Sequence, residues 1–268
     1  MTACLDIFAE CHRAIRDGVQ IVRENSRDKE FHFQNWVADR LAATGLEFES
    51  RGRNAYPDFV LVDRPEGYEV KGLAHPGREA NYDANSQVPT GRHSGRDIFY
   101  VFGRYPTGEE NQFEVIDLII CHGSFLNADD DYVHKNHHVK AFGSYGDIMI
   151  RDRKMYVVPT PLALTVGTQG HVTLIIPSDT EVDDRVVPAG DLTRVETPQL
   201  VVGYKFDLQT NKITAEQIPN PNAGREHHFT AYRMSNDSER TVSLKSPAVV
   251  IAEQEKEVEQ AEADDDGA

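Results

Sequence analysis

The chain has 268 residues, 39% of them hydrophobic and 27% charged, enough length for a sizeable core and enough polarity for a globular class. A formal net charge of −16 excludes indiscriminate capture of nucleic acid by a uniformly basic surface. No apolar run approaches the roughly 20 residues of a membrane-crossing helix, and the start of the chain lacks the apolar centre of a signal peptide.

In chain order, Ile7, Phe8, Cys11, Ile15, Val19 and Val22 recur near helical spacing and predict an amphipathic helix over 6–22. A second helix is expected over 29–43, where Phe33, Val37 and Leu41 repeat every four residues beside Trp36 and Gly45 offers a stop. Short strands follow over 47–50, 58–62, 68–72, 98–102 and 113–121, separated by Gly, Pro and Asn clusters. Residues 147–161 predict a hairpin with a charged turn, 171–178 one strand, 199–219 two more, and 219–228 a loop. Helices first and strands after predict an α+β fold built on a mixed sheet, in one domain over 1–245. The last 18 residues carry eight acids and one lysine, so 246–268 is expected to be an acidic tail that cannot fold alone. Cys4, Cys11 and Cys121 show no paired metal spacing and read as reduced thiols of a cytoplasmic protein.

The stretch AYPDFVLVDRPEGYEVKGLAHPG, from residue 55, carries chemistry. Side chains alternate along a strand, so Asp58, Val60 and Val62 point one way and Phe59 and Leu61 the other. The turn-rich DRPEG lets the next strand return antiparallel, with Glu69 and Lys71 on one face and Val70 on the other. If the faces match, two carboxylates and a lysine converge. Paired carboxylates suit Mg²⁺, a hard cation that wants oxygen ligands. A lysine beside them can hold a phosphate oxygen or orient a water, as phosphodiester hydrolysis requires.

Pro57–Asp58, ten intervening residues and then Glu69-Val70-Lys71 resemble the PD-(D/E)xK nuclease superfamily, which includes most type II restriction endonucleases. The likeness covers about residues 29–72, in the family's order of helix, strand, aspartate strand, turn and E-x-K strand. It implies a restriction-endonuclease-like mixed sheet flanked by helices, with a catalytic core at about 29–121 and an added β-rich C-terminal region. It also implies metal ligation by Asp58 and Glu69 with the Val70 carbonyl, a catalytic Lys71, Mg²⁺ as cofactor and cleavage of double-stranded DNA leaving a 5′-phosphate. A homodimer is implied as well, since two-fold symmetry matches palindromic sites. Many members carry a further acid on the preceding helix, for which Glu30 and Gln34 are the alternatives here. A repair or recombination nuclease of the same fold is the nearest competing reading, followed by a non-catalytic nucleic-acid-binding protein.

Downstream, Asn85, Ser86, Gln87, Thr90, Arg92, His93 and Arg96 form a polar stretch suited to DNA, since Arg reads guanine and Asn or Gln reads adenine. Arg92 and Arg96 can instead clamp phosphates, as can Arg78 and Arg104 more weakly. Cys121, His122, His134, His137 and His138 lack the ligand spacing of a zinc site, and the histidine-rich loop is expected in solvent or along a DNA backbone. Arg151, Arg153 and Lys154 mark a hairpin that can face phosphate.

Overall fold

The computed structural model describes residues 2–23, 32–51, 55–77, 79–85, 87–106, 108, 110–128, 145–151, 155–237 and 240–245. Helix α1 (Cys4–Arg16) buries the stripe Cys4, Leu5, Ile7, Phe8, Cys11 and Ala14. It stops short of residue 22 because Gly18 adopts a left-handed φ of 69°, a standard way to close a helix. Ile21 and Val22 then form strand β1 (Ile21–Val22), and helix α2 (His32–Ala43) follows. Strands β2 (Phe48–Ser50), β3 (Phe59–Leu61), β4 (Glu66–His75), β5 (Asn81–Asn85), β6 (Arg92–His93) and β7 (Arg96–Pro106) come next. The segment 113–121, expected as one strand, divides into β8 (Gln112–Phe113), which pairs with β1, and β9 (Asp117–His122). Beyond it lie β10 (Met149–Arg151), β11 (Met155–Pro159), the short helix α3 (Pro161–Leu164), β12 (Thr165–Val166) and β13 (Val172–Pro177). The chain then forms β14 (Val186–Val195), β15 (Gln199–Asp207), β16 (Lys212–Pro219), β17 (Glu226–Met234) and β18 (Ser243–Leu244). The acidic tail from 246 lies outside the described residues.

The fold is α+β, mostly strands with few helices, around a mixed nine-stranded sheet ordered β14-β17-β13-β9-β7-β4-β3-β2, with β6 paired to β7. The pairs β4–β7 and β9–β13 are parallel, and the others along this path are antiparallel. Strand β7 lies at the centre and is buried on both faces, which explains its continuous apolar run. One face, with Tyr68, Val70, Phe99 and Val101, is covered by α1 and α2; the other, with Ile98, Tyr100 and Phe102, packs against residues of β5, β11 and α3.

Two adjacent glycines seat α2. Gly72 and Gly103 are partners in the β4–β7 register. A Cβ on Gly103 would stand 2.1 Å from Phe33 Cζ, and one on Gly72 3.1 Å from Phe33 Cβ. The missing side chains are therefore the socket for a buried Phe33, worth about 2–3 kcal/mol by area. At the start of α1, buried Glu66 accepts from Thr2 Oγ1 (2.8 Å), the Ala3 amide (2.9 Å) and Tyr68 Oη (2.6 Å). Its carboxylate satisfies an amide donor left open by the helix and complements the positive end of the helix dipole.

Candidate active site

Asp58 enters β3 after a cis Tyr56–Pro57 peptide bond. Gly67, the partner of Val60, leaves room for this entry: a Cβ there would lie 2.6 Å from Pro57 Cγ. The antiparallel register of Phe59 with Tyr68 brings Asp58 beside Glu69 one step further on. Phe59 and Leu61 join the helix-covered core as alternation predicts, while Val60 is buried and Val62 exposed. On β4, Tyr68 and Val70 belong to that same core, so Glu69 and Lys71 project from the opposite face.

The three polar residues interlock. The Val70 amide donates to Asp58 Oδ2 (2.8 Å), and the Asp58 amide donates to Glu69 Oε2 (3.2 Å). Lys71 Nζ donates to Glu69 Oε1 at 2.7 Å, with Lys71 and Glu69 side chains 22% and 12% exposed. At this depth the pair is worth more than a surface ion pair, and its atoms remain open to solvent at one side.

An aromatic wall closes the other side. Lys71 Nζ lies 5.6 Å from the centre of the Tyr82 ring. The Tyr56 and Tyr100 hydroxyls meet at 2.9 Å, and His93 stands edge-on to Tyr56 at 5.0 Å. Burial pushes the Tyr56, Tyr82 and Tyr100 phenols well above their ordinary range, and the Glu69 charge raises each further. The wall is therefore neutral, while Asp58 and Glu69 contribute two negative charges and Lys71 one positive. A divalent cation between the carboxylates fits this balance, and the donors are the hard oxygens Mg²⁺ prefers. Among the described residues no group of three or more His, Cys, Asp or Glu side chains is placed to hold a metal. Any ligation here thus rests on two carboxylates, the Val70 carbonyl and water.

Of the alternatives for a further acid, Glu30 lies outside the described residues. Gln34 is half-buried on α2, whose stripe Phe33, Trp36, Val37 and Leu41 packs on the sheet face opposite Glu69 and Lys71.

The polar stretch after β5 divides by role. Ser86 and the side chain of Asn85 lie outside the described residues. Gln87 is half-buried and donates to the Val88 carbonyl (3.1 Å). Thr90 is fully buried, donating to the Arg92 carbonyl (2.8 Å) and accepting from the Arg92 amide. Arg96 Nη1 donates to the Leu61 and Arg64 carbonyls (2.7 and 2.9 Å), pinning the turn after β3. Strand β6 pairs back on β7 through Ser94 and Gly95, both at positive φ, a two-residue hairpin that the Ser-Gly pair marks in the sequence. Arg92 on this hairpin is exposed, 3.7 Å from Asp97, and His93 borders the aromatic wall.

Arg104, a weak phosphate candidate by sequence, is buried and committed elsewhere. Its Nε and Nη2 grip Asp117 (2.8 and 2.5 Å) and its Nη1 grips Glu79 (2.6 Å). The partner Asp117 is 13 residues away but adjacent in the β7–β9 register, a pairing invisible without topology. Cys121 is buried with its thiol pushed up by burial, and His122 Nδ1 lies 2.6 Å from Ser124 Oγ. His134, His137, His138, Arg78, Arg153 and Lys154, and the side chain of Arg151, lie outside the described residues. The aromatic wall itself, Tyr56, Tyr82 and Tyr100, was not identified from sequence; its one local sign is Tyr56 beside the Pro-Asp pair.

Comparison of the chain with family models, curated proteins and solved structures gives no match.

Proposed function

We propose that the chain is a Mg²⁺-dependent endodeoxyribonuclease that hydrolyses phosphodiester bonds in double-stranded DNA, in the manner of a type II restriction enzyme. One observation carries the reading: Asp58, Glu69 and Lys71 meet on one face of the sheet, partly open to solvent, in a spacing that resembles PD-(D/E)xK. Among the described residues no helix is long and apolar enough to cross a membrane.

Asp58 and Glu69, with the Val70 carbonyl, would hold the ion, whose chemistry is to lower the pKa of a bound water and offset charge on the phosphate. The chain's own residues supply the rest. The Val70 amide and the Asp58 amide fix the two carboxylates, so neither has to reorganise when substrate arrives. Lys71, held by Glu69 and backed by the Tyr82 ring, presents its ammonium to a phosphate oxygen or to the attacking water. Neutral tyrosines keep the wall from repelling the polyanion. Arg92 and His93, on the hairpin beside Tyr56, are the residues of the polar stretch best placed to meet the DNA.

The test is incubation of the purified chain with unmodified phage DNA. Discrete fragments that appear with Mg²⁺ and vanish with chelator support a site-specific nuclease. A smear points to a nuclease without site preference, and intact DNA across a range of salt rejects the enzymatic reading. Salt is varied because phosphate contacts weaken steeply with ionic strength.

A further inference from the structure

Glu69 and Lys71 are two residues apart on β4, so strand alternation puts both side chains on one face and within reach of each other. Both oxygens of Glu69 are engaged. Oε2 accepts from the Asp58 amide at 3.2 Å, and Oε1 accepts from Lys71 Nζ at 2.7 Å. The two donors are not alike. The Asp58 amide is backbone, held in place by the β3–β4 register, whereas the ammonium rides on a flexible four-carbon stem and can leave. The oxygen that Glu69 has to offer a metal is therefore the one its own lysine holds.

Resting on the metal-dependent reading of this site, we infer that Lys71 is a resident stand-in for the divalent ion, and that loading of the site displaces its ammonium from Glu69. Mg²⁺ needs its oxygen ligands at about 2.0–2.1 Å, closer than the ammonium stands. Two cations on one carboxylate oxygen repel, and more strongly at this depth than in water: the Glu69 and Lys71 side chains are 12% and 22% exposed. Lys71 and the ion thus exclude each other at Oε1.

The exclusion arms the lysine. In the resting chain the ammonium is tied to Glu69 and is withheld from a phosphate; once displaced it is the charge nearest the vacated contact and free to turn to substrate. Tyr82 keeps it close. Its ring centre lies 5.6 Å from Nζ, and burial keeps the phenol neutral, so the ring face attracts the cation without replacing Glu69 as a counter-charge. The same exclusion weakens the site for metal. A pair closed about nine-tenths of the time lowers the apparent affinity for the ion about tenfold.

Two measurements on the full chain without DNA test the inference. In calorimetric titration with Mg²⁺, Lys71→Met, which keeps the stem and removes the ammonium, should bind at least threefold more tightly than the wild type. The advantage should persist in about 0.5 M NaCl, since a contact pair at this depth is screened little. In the wild type, limited acetylation read by peptide mass spectrometry should modify Lys71 at least threefold faster with saturating Mg²⁺ than without it. Asp58→Asn should show no such rise, which separates the site from ion binding elsewhere on an acidic chain. A Lys71→Met variant that binds no more tightly, an advantage that vanishes in high salt, or Lys71 labelling indifferent to Mg²⁺ overturns the inference and leaves the nuclease reading standing. A wild type that binds no Mg²⁺, or binds it as well after Asp58→Asn, overturns both. Absence of DNA cleavage, with the binding and labelling results as expected, counts against the nuclease reading alone.

Discussion

Mg²⁺ should raise the melting temperature of the wild-type chain and leave the Asp58→Asn and Glu69→Gln variants where they were. Both substitutions keep a side-chain oxygen for the Val70 or Asp58 amide, so the cross-brace between β3 and β4 survives while one negative charge is lost. With an affinity of about 1 mM, modest for a carboxylate site, 10 mM Mg²⁺ adds RT ln 11, about 1.4 kcal/mol, to stability. For a folded body of this size, each kcal/mol is worth about 2–4 °C, so the expected shift is about 3–6 °C. Scanning calorimetry with Na⁺ at matched ionic strength as control measures it, since general screening also helps an acidic chain. Equal shifts in the wild type and both variants would refute the idea that these two carboxylates share an ion.

Arg104→Ala should cost about 3–5 kcal/mol in urea unfolding, because Asp117, 1% exposed, is left as a buried charge without its cation. Gly103→Ala should cost about 1–3 kcal/mol by driving a methyl into the Phe33 ring, and Phe33→Leu in the same chain should recover part of the loss. Burial pushes His122 from its ordinary 6.5 down to about 4. Above pH 6.5 it is neutral folded or unfolded; as pH falls from 6.5 toward 4 the unfolded chain takes up a proton that the folded chain refuses, so stability drops across that window. His122→Asn, which keeps an acceptor near Ser124 but does not titrate, should flatten this part of the pH profile of the urea midpoint.

The site was legible because its cause is local. Period-two alternation, a strong turn and a short antiparallel return are enough to place Asp58 against Glu69 and Lys71. Helix α2 was legible for the same reason, its four-residue repeat being the face that meets the glycine pair. What escaped depends on distant partners. Strand β14 contains Pro188 and Gly190, which read as breaks; at a sheet edge, with a bulge between them, both are tolerated. The first three residues of β17 follow an Asn- and Gly-rich turn and read as its continuation, yet they pair with β14. Gly103 looks like the end of a strand after Phe102, but β7 runs through it because Phe33 fills the space of the missing side chain. Arg104 reads as a weak phosphate clamp when Asp117, its partner across the β7–β9 register, is out of sight, and the tyrosine wall is assembled from β5, β7 and the lead into β3, which no local window contains.

Lys71→Ala offers the most direct measurement. DNA cleavage in Mg²⁺ and DNA binding in Ca²⁺ would be followed side by side for the wild type and this one variant. The account predicts that cutting falls by at least about a thousandfold, the scale of removing a preorganised charge from a reaction centre, while binding changes little. A variant that cuts as fast as the wild type, or a wild type that binds duplex DNA and never cuts it, would contradict it.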